Sequence, residues 1–97
     1  MDMDRNQEDE FYIRLREQLD STNKWPTDYL YKFIVPSDEV KIKQIQDIFD
    51  NMGAVITSKK SKNGKYTSLS ITVHLKNPDD VIQKYREVGE IEGVISL

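Results

Sequence analysis

One histidine, no cysteine, and a run of lysines and hydroxyls between Lys59 and His74 bound the chemistry open to this 97-residue chain. Without cysteine there is no disulfide, no thiolate metal site and no Cys nucleophile. His74 has no second histidine to share a metal with, and the carboxylates lack ligand spacing, so neither a metal site nor a cofactor is expected. A general acid or base at His74 would need an orienting partner, and a lone histidine near a strand end reads as a solvated surface residue. No catalytic residue is assigned. What these residue types can do is bind. No acid occurs from Asn51 to Pro78, a stretch that holds Lys59, Lys60, Lys62, Lys65 and Lys76. Ser61, Tyr66, Ser68 and Ser70 supply hydroxyls, and Lys32 and Lys59 supply charge. These six residues form the candidate site, suited to a small anionic ligand or an acidic protein surface.

A β-hairpin must present them. Asn63-Gly64 between two alternating runs predicts a two-residue type I′ turn, with both central residues at positive φ. A loop of that length sets the register: Ser61 opposite Tyr66, Lys59 opposite Ser68, Thr57 opposite Ser70 and Ile56 opposite Ile71. Ile56, Leu69, Ile71, Val73 and Leu75 then face the core. Lys59, Ser61, Tyr66, Ser68, Ser70, Thr72 and His74 share the other side.

The rest of the chain supplies the frame. Residues 1–9 are polar without periodicity and read as a disordered tail. Residues 10–26 read as a helix with the stripe Phe11, Leu15 and Leu19, followed by a linker that Trp25 anchors. Residues 27–97 form the domain. Asp28 to Val35 alternates as a strand, and the cost of burying Lys32 unpaired turns Tyr29, Tyr31, Phe33 and Val35 to the core. Ser37 caps a helix with Ile42, Ile45, Ile48, Phe49 and Met52 on one face and Gly53 as its stop. After the hairpin, Asn77-Pro78 starts another helix with the stripe Val81, Ile82, Tyr85 and Val88. Glu90 to Leu97 reads as a last strand, with Ile91, Ile95 and Leu97 inward and Glu92, Val94 and Ser96 outward.

The order is a helix and then β-α-β-β-α-β. This predicts an α+β, ferredoxin-like two-layer sandwich, its antiparallel sheet in the order 4-1-3-2 and both crossover helices on one face. Leu30, Ile34 and Val94 on the open face need a cover, for which the N-terminal helix is the first candidate and a second copy of the chain the other.

The segment Ser61-Lys62-Asn63-Gly64-Lys65-Tyr66-Thr67-Ser68-Leu69-Ser70-Ile71-Thr72-Val73 resembles the signature of the YbeD-like family of small bacterial proteins. Trp25-Pro26 and the ending Tyr85 to Leu97 extend the resemblance across residues 25–97, with residues 1–24 as an extension. It implies a sandwich similar to ACT-like regulatory domains. It implies no activity, ligand or catalytic residue.

An acylphosphatase-like enzyme would share this topology, but Pro36-Ser37-Asp38-Glu39 puts two acids where a phosphate loop and arginine are needed. A weak nucleic-acid binder using the lysine-rich hairpin is the alternative function. Nucleic acid is disfavoured because Tyr66 is a lone ring where stacking wants several. With no apolar run long enough to span a bilayer and an acidic N-terminus, the expectation is a cytoplasmic protein without membrane partners. It reads as a non-enzymatic regulatory or interaction module with an unknown protein or small anionic ligand as partner, and a homodimer could form through the sheet edge or open face.

Overall fold

The computed structural model describes residues 3–97, with side chains from residue 9 onward. The elements are α1 (Met3–Thr22), β1 (Thr27–Pro36), α2 (Glu39–Ile48), β2 (Val55–Lys60), β3 (Tyr66–Leu75), α3 (Pro78–Gly89) and β4 (Ile95–Ser96). They build one antiparallel sheet in the order β2-β3-β1-β4, the ferredoxin-like arrangement. The expected sheet order 4-1-3-2 is this same order read from the other edge.

The facing of β1 follows from the alternation of its side chains. Tyr31, Phe33 and Val35 are buried on the helix side with their β3 neighbours Leu69, Ile71 and Val73, and Lys32 is exposed on the other. Ile45 and Phe49 from the α2 end and Val81 and Val88 from α3 close the core above them. Each such fully buried aliphatic or aromatic side chain contributes about 1.5–3 kcal/mol through the area it removes from water. At its centre Tyr31 packs among Tyr29, Phe33, Phe49 and Tyr85, with ring centroids 4.8–5.6 Å away. Its hydroxyl donates to the Val81 carbonyl at 2.9 Å, so the polar tip is satisfied where the ring is buried. Burial pushes the Tyr31 phenol well above its ordinary value, and the same cause raises Tyr85.

Four local expectations change. The first helix begins at Met3 rather than Glu10. Residues 3–9 hold no glycine or proline and extend the helix without an apolar stripe. The tail expected over residues 1–9 is therefore helical from Met3, and its first two residues lie outside the described range. Second, Asp38 and not Ser37 caps α2, accepting from the Val40 N–H at 2.9 Å. Ser37 instead bonds the Thr67 hydroxyl across the sheet at 2.9 Å.

Third, α1 does not cover the open face. It packs beside α3 and widens the helix layer, with Leu19 buried and Leu15 half-buried against the core. Burial of Leu19 drives this packing, and exposed ion pairs line its rim. Arg16 meets Asp79 of α3 at 2.6 Å, and Arg86 of α3 stacks over the Tyr12 ring and reaches Asp9 at 3.5 Å. The Asp79 carboxylate beside it holds the Arg16 guanidinium above its ordinary value. The open face around Leu30 is left uncovered, and Leu30 stays 50% exposed. Trp25 does anchor the linker, its indole N–H donating to the Leu19 carbonyl at 3.2 Å.

Fourth, the last strand shrinks to Ile95–Ser96. The α3 backbone keeps turning after Gly89, with Ile91 N–H on the Val88 carbonyl at 3.0 Å, and Gly93 at φ 85° lies against Pro36. This turn shifts the facing by one residue. Ser96 pairs with Phe33 on the helix side and Ile95 with Ile34 on the open side. Ile95 and Leu97, expected in the core, are 54% and 73% exposed. Val94, expected on the open face, joins Ile91 against the core.

Candidate functional site

The hairpin keeps the expected register with a different turn. Ile56 faces Ile71, Thr57 faces Ser70 and Lys59 faces Ser68. The Ser61 N–H donates to the Tyr66 carbonyl at 2.8 Å, which continues the same pairing. The Gly64 N–H closes a turn onto the Ser61 carbonyl at 2.9 Å, and Gly64 has φ 74°. Asn63 is not at positive φ; Asn51 is the one non-glycine residue there among the described residues. The type I′ geometry is therefore not adopted. The reason is in the side chains. Asn63 Oδ1 accepts from the Lys65 N–H and from the Ser61 hydroxyl, both at 3.0 Å, and Ser61 Oγ accepts from the Tyr66 N–H at 3.1 Å. Side chains thus take over hydrogen bonds that the tighter turn would have left to the backbone.

Beneath this turn, on the open face, lies a cavity of about 350 Å³ lined by Ile34, Lys59, Lys60, Ser61, Lys62, Tyr66 and Ser68. Four of the six candidate residues meet there: Lys59, Ser61, Tyr66 and Ser68. Lys32 and Ser70 do not. They sit opposite each other one cross-strand row further along the sheet. The cavity gains Ile34, which the register puts beside Ser68, and two lysines that the sequence reading left out. Lys62 belongs to the turn, and Lys60 ends the edge strand where the chain bends into it. The run Lys59-Lys60-Ser61-Lys62 was the available signal, since a strand ending in a turn gathers neighbours that strict alternation would separate.

The hydroxyls have unequal roles. Ser61 has both its donor and an acceptor position committed to the turn, so it is structural. Ser68 Oγ makes only a long bond to the Lys59 carbonyl, 3.3 Å, and keeps acceptor capacity. Tyr66 is 47% exposed, and its side chain has no hydrogen-bond, ion-pair or ring partner among the described residues. Among the described residues Lys59, Lys60, Lys62 and Lys65 have no ion pair or side-chain hydrogen bond, and neither do Lys24, Lys32 and Lys76. Elsewhere Lys43 pairs with Asp47, Lys84 with Glu87, and Lys41 with the Glu92 carbonyl. Unneutralised ammonium groups around a concave surface attract anions.

Two other places gather groups capable of chemistry. His74 gains a partner the sequence did not reveal: its Nδ1 lies 2.9 Å from Asp28 Oδ1 at the far end of the open face. Both side chains are more than 60% exposed, and neither bonds a third group. A cleft of about 430 Å³ between α1 and α3 contains Arg16 and Arg86, but both are already paired with aspartates. Among the described residues no cluster of three His, Asp or Glu side chains could hold a metal ion. None of their helices is long and apolar enough to cross a membrane.

A family profile described as "Protein of unknown function (DUF493)" matches residues 20–97. The chain belongs to this family. The match spans the whole ferredoxin-like unit and the last residues of α1, in line with the YbeD-like resemblance carried by the hairpin. No relative was found among the curated proteins. Among solved structures the fold is similar to the solution structure of the ACT domain from GTP pyrophosphokinase of Chlorobium tepidum, with a TM-score of 0.50 and 16% identity, over 72% of this chain and 86% of that one. At that identity the likeness is one of fold.

Proposed function

We propose that this DUF493 protein is a non-enzymatic regulatory or interaction module that binds a small anion at the hairpin end of its open sheet face. The observation that carries this reading is the set Lys59, Lys60 and Lys62, three cations around one cavity with no partner among the described residues. Tyr66 and Ser68 add an unused ring and hydroxyl oxygen to the same wall. An ACT-like fold is consistent with a regulatory role, because the similar domain belongs to a larger enzyme. Isothermal titration with inorganic phosphate, inorganic pyrophosphate and citrate tests it, using wild type and the variant Lys59→Glu, Tyr66→Ala, Ser68→Ala. Saturable binding to wild type that the folded variant loses supports the site. Equal heats for the two proteins reject it.

The same unpaired lysines favour weak nucleic-acid binding as a second reading. Phosphate-backbone contacts would give an affinity that falls steeply with salt and grows with oligonucleotide length. The absence of a second ring beside Tyr66 on the open face weighs against it, since sheet-based RNA binders stack two or three bases.

A further inference from the structure

Resting on the anion-binding reading, we propose that the hairpin cavity takes a single nucleoside phosphate, with its base against Tyr66 and its phosphates among Lys59, Lys60 and Lys62.

Tyr66 points to an aromatic ligand. Of the nine aromatic side chains it is the one with neither a ring neighbour nor a hydrogen bond among the described residues. The rings of Tyr29, Tyr31, Phe33, Phe49 and Tyr85 interlock in the core, Phe11 pairs with Tyr12, and Trp25 holds the linker. Tyr66 instead lines the cavity half-exposed beside Ile34. A flat ring laid there would cover apolar surface on two adjacent strands, and every nucleobase has a π-face suited to it.

The cations identify the anionic part. They are all lysines; the described arginines, Arg14, Arg16 and Arg86, belong to α1 and α3. Ammonium groups bind phosphate as compact point charges, and several around one volume suit a multiply charged anion of that kind. Three such charges balance about what a nucleoside diphosphate carries at neutral pH, given phosphate ionisation near pH 6. The volume of about 350 Å³ lies within the range of small-molecule sites. Ser68 Oγ lines the same cavity with acceptor capacity left, which a sugar hydroxyl could use.

One ring and one cluster of cations also set the length of the ligand. Along the open face away from the turn the side chains are Thr57, Ser70, Lys32, then Val55, Thr72, Leu30. None is aromatic, so a second base would find nothing to stack on.

Titrations of the full chain at low salt would compare the diphosphates of adenosine, guanosine, cytidine and uridine with inorganic pyrophosphate, ribose 5-phosphate and an oligouridylate series. The expected result is that at least one nucleoside diphosphate binds about tenfold tighter than pyrophosphate, the increment of one stacked base. Tyr66→Ala should remove that increment and leave pyrophosphate binding in place, while Tyr66→Phe retains it. Lys59→Gln with Lys62→Gln should weaken both ligands. Tyr66, Lys59 and Lys62 are exposed, and thermal melting verifies that each variant folds. If pyrophosphate and the nucleotides bind wild type equally, the nucleotide assignment is overturned and the anion site stands. If neither binds, both are overturned. Affinity that climbs with oligouridylate length overturns the single-nucleotide assignment in favour of nucleic acid.

Discussion

Replacing Tyr31 with phenylalanine isolates one polar atom at the centre of the core. The ring contacts of 4.8–5.6 Å to Tyr29, Phe33, Phe49 and Tyr85 remain available to phenylalanine, and only the 2.9 Å bond to the Val81 carbonyl is lost. Val81 lies in the first turns of α3, where its carbonyl also accepts the helical bond, so it is not orphaned. The expected cost is therefore that of one net hydrogen bond, about 1 kcal/mol. For a domain of this size that corresponds to about 4–8 °C in Tm. A second arm reads the same atom through pH. The folded-state pKa of Tyr31 is raised by burial, so the folded protein holds this proton after the unfolded chain has released it. Its contribution is fully present below the ordinary tyrosine value of about 10 and is lost above it, at about 1.4 kcal/mol per pH unit. Tyr85 acts in the same direction and window. Urea melts of wild type between pH 8 and 11.5 should show stability flat at first and then falling, and Tyr31→Phe should fall less steeply by one proton. A Tyr31→Phe protein with the wild-type Tm and the wild-type alkaline slope would refute the burial and bonding assigned to this hydroxyl.

Gly64→Val should destabilise by about 1–2 kcal/mol in a chemical melt through backbone strain alone, because φ is 74° and a Cβ there meets nothing within 4 Å. Gly64→Asn should cost less, and equal costs would mean that strain is not the cause. Asn77 accepts from the Asp80 N–H at 2.9 Å as the cap of α3, so Asn77→Ala should lose about 1 kcal/mol while Asn77→Asp stays close to wild type. Leu30, Ile95 and Leu97 leave an apolar margin where β4 meets β1, and a dimer formed there should dissociate in Leu30→Lys. Sedimentation velocity at high micromolar concentration decides this, and a wild-type monomer throughout would remove self-association at that edge.

The ferredoxin-like order was legible because each element carried its own local signal. Alternation in β1 and β3 and apolar stripes in α2 and α3 named the elements, and Lys32 alone sufficed to orient the sheet. The misreadings fall where a tertiary contact overrides that logic. Residues 90–94 have the composition of a strand, but Ile91 N–H completes another turn on Val88 and Gly93 folds against Pro36, so pairing waits until Ile95. The turn interrupts the two-residue alternation, so Ile91 and Val94, three residues apart, both pack against the core and Ile95 falls on the open side. The stripe of α1 packs through Leu15 and Leu19, but on the side of α3, where Arg16 and Arg86 also meet aspartates far away in sequence. Helical periodicity is blind to such pairs.

The candidate site was legible to the extent that register could carry it. Because register survives a change of turn, Lys59, Ser68 and Tyr66 came together as expected although Asn63-Gly64 does not form a type I′ turn. What alternation could not supply was the cavity itself, which depends on the chain leaving the sheet at Lys60 and returning at Tyr66. That excursion adds Lys60 and Lys62 to the rim and commits Ser61 to holding it open. It also separates two roles that look alike in sequence. Ser61 and Ser68 are both open-face serines two residues from Lys59 or Tyr66, but Ser61 both donates and accepts within the turn, whereas Ser68 only donates, in a long bond, and keeps its lone pairs. Ser61→Ala should therefore act mainly on hairpin stability and on the position of Tyr66, and Ser68→Ala on ligand affinity with little change in Tm. A pair of melts and titrations that reversed these assignments would place the binding surface elsewhere on the sheet.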